Sequence, residues 1–216
     1  MHRHDEGHEH RHTSPRPEPR ARGRRGWMAQ LVGWTRGVRA GPRGGGPTPL
    51  TAAERRGELV RAYLAAEGEG DHRRAAAAAT TQLERAAADG LWTVADAWGH
   101  RALWHYERAG MELHATRAAR RIADVRLVGG DAAGSRRYYA EAISEARDLG
   151  AEREEGLAAL GLGRAHLQLR RVGESRRLAQ IAIDLLERCR APADEIAAAR
   201  ALRGTEKQVT IEGISE

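Results

Sequence analysis

Phenylalanine is absent from this chain, and aromatic residues of all kinds make up 4% of it. A core must therefore be filled by alanine and aliphatic side chains, with tryptophan and tyrosine supplying the bulk. Cysteine occurs once, at Cys189. One thiol cannot close an intramolecular disulfide or supply a zinc framework, and such usage suits a reducing compartment. Lysine also occurs once, at Lys207, so nearly all positive charge is carried by arginine. Strand-favouring residues are few, and apolar positions follow helical spacing over most of the length. No apolar run approaches the length that spans a bilayer. The short apolar stretch from Trp27 to Trp34 is soon interrupted by Arg36, which is too short for a secretory core. The expectation is a cytoplasmic, all-α protein that makes no use of a membrane.

The motifs of catalysis are missing as well. The sequence holds no Gly-rich phosphate loop between strand and helix, no Gly-x-Ser-x-Gly elbow and no Cys-His arrangement, and the stretch 91–109, with His100 and His105 five apart, carries no His-Glu-x-x-His. The expectation is a protein that is not an enzyme and carries no cofactor.

What is present is an internal repeat. Ala102, Ala142 and Ala182 stand forty residues apart, and each is followed by an aliphatic residue: Leu103, Ile143, Ile183. Seven residues upstream of each lies a small residue: Ala95, Ser135, Ser175. Ser135-Arg136-Arg137 recurs as Ser175-Arg176-Arg177. A period near forty in an alanine- and leucine-rich chain points to stacked helical hairpins.

Charge separates the chain into parts. Residues 1–47 carry ten arginines against four acids, a net of +6, whereas residues 48–216 carry 26 bases and 26 acids, a net of zero. The first segment is also rich in His, Pro and Gly, a composition that cannot bury enough apolar surface to offset chain entropy, so it is expected to be a disordered arm. The folded body is expected over 48–204, with a tail over 205–216. Thr51 and Glu54 have capping-box spacing for a first helix that reaches Glu67. Helices are then predicted over 72–88, 91–109, 111–128, 131–149, 151–170, 173–190 and 193–203. Asp71 and Asp131 are placed as N-caps, and the breaks fall at Gly70, Gly90, Gly110, Gly129-Gly130, Gly150, Gly173 and Pro192. Paired units follow at 72–110, 112–150 and 152–190. Val209 to Ile214 alternates in strand fashion, but with no second strand it is read as a loose tail.

On that register the units resemble tetratricopeptide repeats of a longer, roughly forty-residue kind. Leu162-Gly163 and His166 resemble the Leu-Gly and aromatic positions of the family's first helix. Ser175, Ala179 and Ala182 resemble the small, bulky and small positions of its second helix. Ser135, Tyr139 and Ala142 match the same pattern in the second unit, as do Ala95, Gly99 and Ala102 in the first. The resemblance implies a solenoid of about three hairpins plus flanking helices. It also implies a concave groove lined by the first helix of each hairpin, holding a peptide or helix of a partner protein in a bacterial regulatory or assembly pathway.

Carried over by repeat position, that groove comprises Thr80, Glu84, Arg117, Arg120, Asp124, Leu160, Arg164 and Gln168. Arg117, Arg120 and Arg164 would form a basic stripe suited to carboxylates, since guanidinium groups bind them bidentately. The alternative for any one of these residues is a solvated helix face, with Glu84 and Asp124 balancing the arginines. Two rival functions rest on the arm. Its arginines suit a nucleic-acid backbone, and His2, His4, His8, His10 and His12 suit loose binding of Ni, Zn or Cu(II). A further cluster, Trp92, Trp98, His100, Trp104, His105 and Tyr106, is expected to be mainly packing.

Overall fold

The chain turns every twenty residues. Gly70, Gly90, Gly110, Gly130 and Gly150 each adopt a left-handed φ, between 66° and 91°, and Arg170 and Arg190 continue the series at 59° and 53°. The residue after each of these donates its backbone N–H to a carbonyl five positions back, as in Leu91 to Ala86 at 2.8 Å and Ala191 to Leu186 at 2.8 Å. This closure satisfies the orphan carbonyls at a helix end and requires one left-handed residue, which glycine adopts without Cβ strain.

The structure is a computed structural model that describes residues 57–212, with side chains described up to residue 204. Its helices are α1 (Glu58–Gly68), α2 (His72–Ala88), α3 (Trp92–Arg108), α4 (Glu112–Val128), α5 (Ala132–Asp148), α6 (Glu152–Gln168), α7 (Val172–Arg188) and α8 (Ala193–Glu212). Among the described residues there is no strand. The helices α2 to α7 are 17 residues each. The architecture is all-helical and built of antiparallel hairpins. Asp71 caps α2 by accepting from the Arg74 N–H at 3.0 Å, and Asp131 caps α5 by accepting from Gly134 at 2.7 Å.

Two details differ from the sequence-based expectation. The break before α7 is made by Arg170, not Gly173, which lies in the first turn of the helix with open space around it. α8 continues to Glu212, so the alternating stretch from Val209 is helical backbone for most of its length rather than a loose tail. Thr51 and Glu54 lie outside the described residues, as does the whole arm with its His cluster.

Each helix packs on the next, and beyond these neighbours α4 touches α6 and α6 touches α8. The alternate helices α4, α6 and α8 therefore lie side by side. Ala95, Ser135 and Ser175 are fully buried, as are Ala142 and Ala182, with Ala102 at 1% exposure. One apolar cluster runs from Val60 to Ala165 and a second from Ala159 to Leu202, with Ile143 packed against both. The closest approach is at Gly161, where an added Cβ would stand 2.2 Å from Cε1 of Tyr139. The Tyr139 ring thus lies directly on the backbone of α6.

Candidate partner-binding face

The residues expected to line a groove divide into three groups. Leu160 is 4% exposed and belongs to the second apolar cluster, so it is core and not a contact surface. Its burial follows from its position on the face of α6 that meets α7 and α8, where Ala159 and Gly163 also lie. Thr80 is half-buried, and its hydroxyl donates to the Ala76 carbonyl at 2.9 Å and meets the Tyr106 hydroxyl at 3.1 Å. Glu84, Arg117, Arg164 and Gln168 are exposed.

The expected basic stripe is in large part neutralised from within. Glu154, at the start of α6, accepts from Nε of Arg117 at 2.8 Å and from Nε of Arg120 at 3.2 Å. The Glu154 side chain is 6% exposed and that of Arg120 14%. Arg120 also donates to Asp124 at 3.0 Å, and the Tyr139 hydroxyl donates to the other Asp124 oxygen at 2.7 Å. Burial, with the Asp124 carboxylate beside it, pushes the Tyr139 hydroxyl far above its ordinary pKa. The network therefore joins α4, α5 and α6 with full charge compensation. Arg164 is different: it makes no ion pair with a described residue, although its charge acts on the nearby Tyr139 hydroxyl.

Glu154 was not among the sequence candidates. In the sequence it reads as one of the acids that favour a helix N-terminus. A signal was present in the register, because α4 and α6 run parallel one repeat apart. Position 154 aligns with 114, one and two turns before Arg117 and Arg120.

A second ionic set ties α3, α4 and α5. Arg126 holds Asp96 through two bonds of 2.7 and 3.1 Å and lies over the Tyr138 ring at 4.7 Å. Burial alone would raise the Asp96 carboxyl, but hydrogen bonds from His100 and Arg126 outweigh it and hold it at about 2. In the aromatic cluster, Trp98, His105 and Tyr106 are buried while Trp92, His100 and Trp104 are half-buried. His105, fully enclosed, has its Nε2 3.1 Å from the Tyr63 hydroxyl and its Nδ1 3.0 Å from Nδ1 of His72. Burial lowers the His105 pKa. These side chains satisfy one another, which is the chemistry of packing.

Glu107 on α3 and Glu145 on α5 form a half-buried pair of carboxylates. Burial and the Glu145 charge raise Glu107 to about 7. Burial also raises Glu145, against a 3.0 Å hydrogen bond from Thr116 that favours its ionised form.

Among the described residues no group of three His, Cys, Asp or Glu side chains is placed to hold a metal ion, and no helix is long and apolar enough to cross a membrane. In comparisons with known proteins, no family model matches the chain and no curated protein matches it at a significant level.

Proposed function

We propose that this protein is a tetratricopeptide-like scaffold that binds a peptide or helix of a partner protein along the row formed by α4, α6 and α8. The observation that carries the reading is the side-by-side placement of these three helices, with Arg164 exposed on α6 and in no ion pair with a described residue. Arg117, Gln168 and, on α2, Glu84 supply the polar rim of such a surface. Leu160 has no part in it. Recognition by a rigid stack of helices needs no catalytic group, because the scaffold presents a fixed surface and the partner supplies the segment that fills it. The setting we propose is a bacterial regulatory or assembly pathway in the cytoplasm, with the protein acting as an adaptor and not as an enzyme.

Arg120, half-buried and bonded to the buried Glu154, is unsuitable for a test, since its removal perturbs the fold. The test is affinity capture on the full chain and on its Arg164→Glu variant in parallel, with mass spectrometry of what is retained. The reading predicts a protein partner that the variant loses. A partner retained equally by both, with unchanged circular dichroism, overturns it.

A further inference from the structure

The two copies of Ser-Arg-Arg lie in different surroundings. In the first, Arg136 and Arg137 are half-buried, and Arg137 donates to Glu141, one turn on, at 2.8 Å. In the second, Arg176 and Arg177 are exposed, and Ile181 stands where the repeat would place a glutamate. Arg177 consequently makes no ion pair with a described residue. Gly173, Arg176, Arg177, Gln180 and Ile181 of α7, with Arg203 of α8, line an open groove of about 770 Å³. Arg203 is held towards Gln180 by a short hydrogen bond.

The repeat indicates what shape fits there. Forty residues earlier the six lining positions are Ala133, Arg136, Arg137, Ala140, Glu141 and Gly163. At the earlier site Gly163 is buried, and a Cβ on it would come within 2.9 Å of Leu202 Cδ2 and 3.4 Å of Leu178 Cβ. The following helices α7 and α8 thus cover the position that corresponds to Arg203. In the last hairpin the same position is exposed. The groove has the form of a surface onto which one more helix of the stack would pack.

Charge indicates which helix. Arg177 and Arg203 line the groove together with the partly buried Ile181, a combination that suits carboxylates on the sides of an amphipathic helix. The chain's own arm, at +6 over residues 1–47, has the wrong sign. A second copy meeting this face with its own would set arginine against arginine, which is repulsive. We propose that the groove between α7 and α8 docks an acidic amphipathic helix of a partner protein, its carboxylates on Arg177 and Arg203 and an aliphatic side chain on Ile181. This surface shares α8 with the α4–α6–α8 row but does not include Arg164, and it does not depend on that reading.

The probe is a labelled synthetic helix with leucine along one stripe and glutamate on both flanks, titrated against the full chain by fluorescence anisotropy. Polyglutamate of equal charge serves as the comparison. The proposal predicts saturable binding that weakens as salt rises, with polyglutamate bound at least about tenfold more weakly. The Arg177→Glu/Arg203→Glu double variant should lose at least about tenfold in affinity, and a peptide with lysine in place of glutamate should regain it on that variant. Arg164→Glu should leave probe binding unchanged, which separates this site from the proposed partner row. Equal binding of polyglutamate, no saturable binding of the helical probe, or unchanged affinity in a double variant with native circular dichroism would overturn the proposal.

Discussion

Replacing Glu107 with glutamine should make the protein more stable at pH 8 and leave it unchanged near pH 4. In the folded chain Glu107 keeps its proton up to about pH 7, whereas its ordinary value is 4.5. Between those values the folded state binds more protons than the unfolded state, so this group's contribution to stability falls as pH rises through that window. Above it the ionised side chain, half-buried beside Glu145, is a penalty. Each tenfold in proton affinity corresponds to about 1.4 kcal/mol, so the penalty is at most about 3.5 kcal/mol, and partial contact with water reduces it to about 1–2 kcal/mol. Glutamine keeps the shape and removes the charge, so Glu107→Gln should gain that amount at pH 8. The assay is urea unfolding followed by circular dichroism at pH 4, 6 and 8, for the wild type, for Glu107→Gln, and for the exposed control Glu84→Gln. His105 acts in the opposite direction: burial lowers its pKa, so its contribution is present above the unfolded value and is lost as pH falls below it. That contribution is common to both chains and cancels in their difference. A Glu107→Gln gain that is absent at pH 8, or equally large at pH 4, would refute the reasoning.

Three further outcomes follow from the packing. Gly161→Ala places a Cβ against the Tyr139 ring, whose hydroxyl is fixed on Asp124 at 2.7 Å, so the ring cannot swing away without breaking that bond; thermal unfolding should show a loss of about 1–3 kcal/mol. Gly150→Ala forces a side chain into a left-handed turn and should cost about 1 kcal/mol, whereas Arg170→Gly relieves the same strain and should be neutral or stabilising by up to about 1 kcal/mol in urea titration. Glu154→Gln leaves the Arg120 guanidinium, at 14% exposure, with Asp124 alone. Denaturant unfolding should register about 2–3 kcal/mol of destabilisation, less than for a fully enclosed pair because Arg117 is partly solvated.

The fold was largely legible because the small residues at 95, 102, 135, 142, 175 and 182 lie at positions that bury, and burial is what forces them to be small. From α2 to α7 the helix ends fall within two residues of those read from the sequence. The error at Gly173 arose because glycine marks the turn at 70, 90, 110, 130 and 150 but arginine takes it at 170 and 190. A left-handed arginine leaves no local signal, and the twenty-residue spacing of turns was the better guide. The candidate surface was less legible. The resemblance, carried over by repeat position, assigned Arg117, Arg120 and Asp124 to the groove face of α4, yet whether that face is free depends on Glu154, which arrives from a different helix. Leu160 failed for the same reason: its exposure is decided by α7 and α8. Gly161 was passed over beside Gly163, because only the Tyr139 ring, contributed by α5, explains why that position has no side chain.

The central claim is that a partner protein lies along α4, α6 and α8. Photocrosslinking tests it most directly, with a photoreactive amino acid in place of Arg164 on α6 in one variant and in place of Ser144, exposed on α5, in another. After capture and irradiation, a covalent adduct with the partner should form from position 164 and not from position 144. An adduct from 144 alone, or equal adducts from both, would contradict the account.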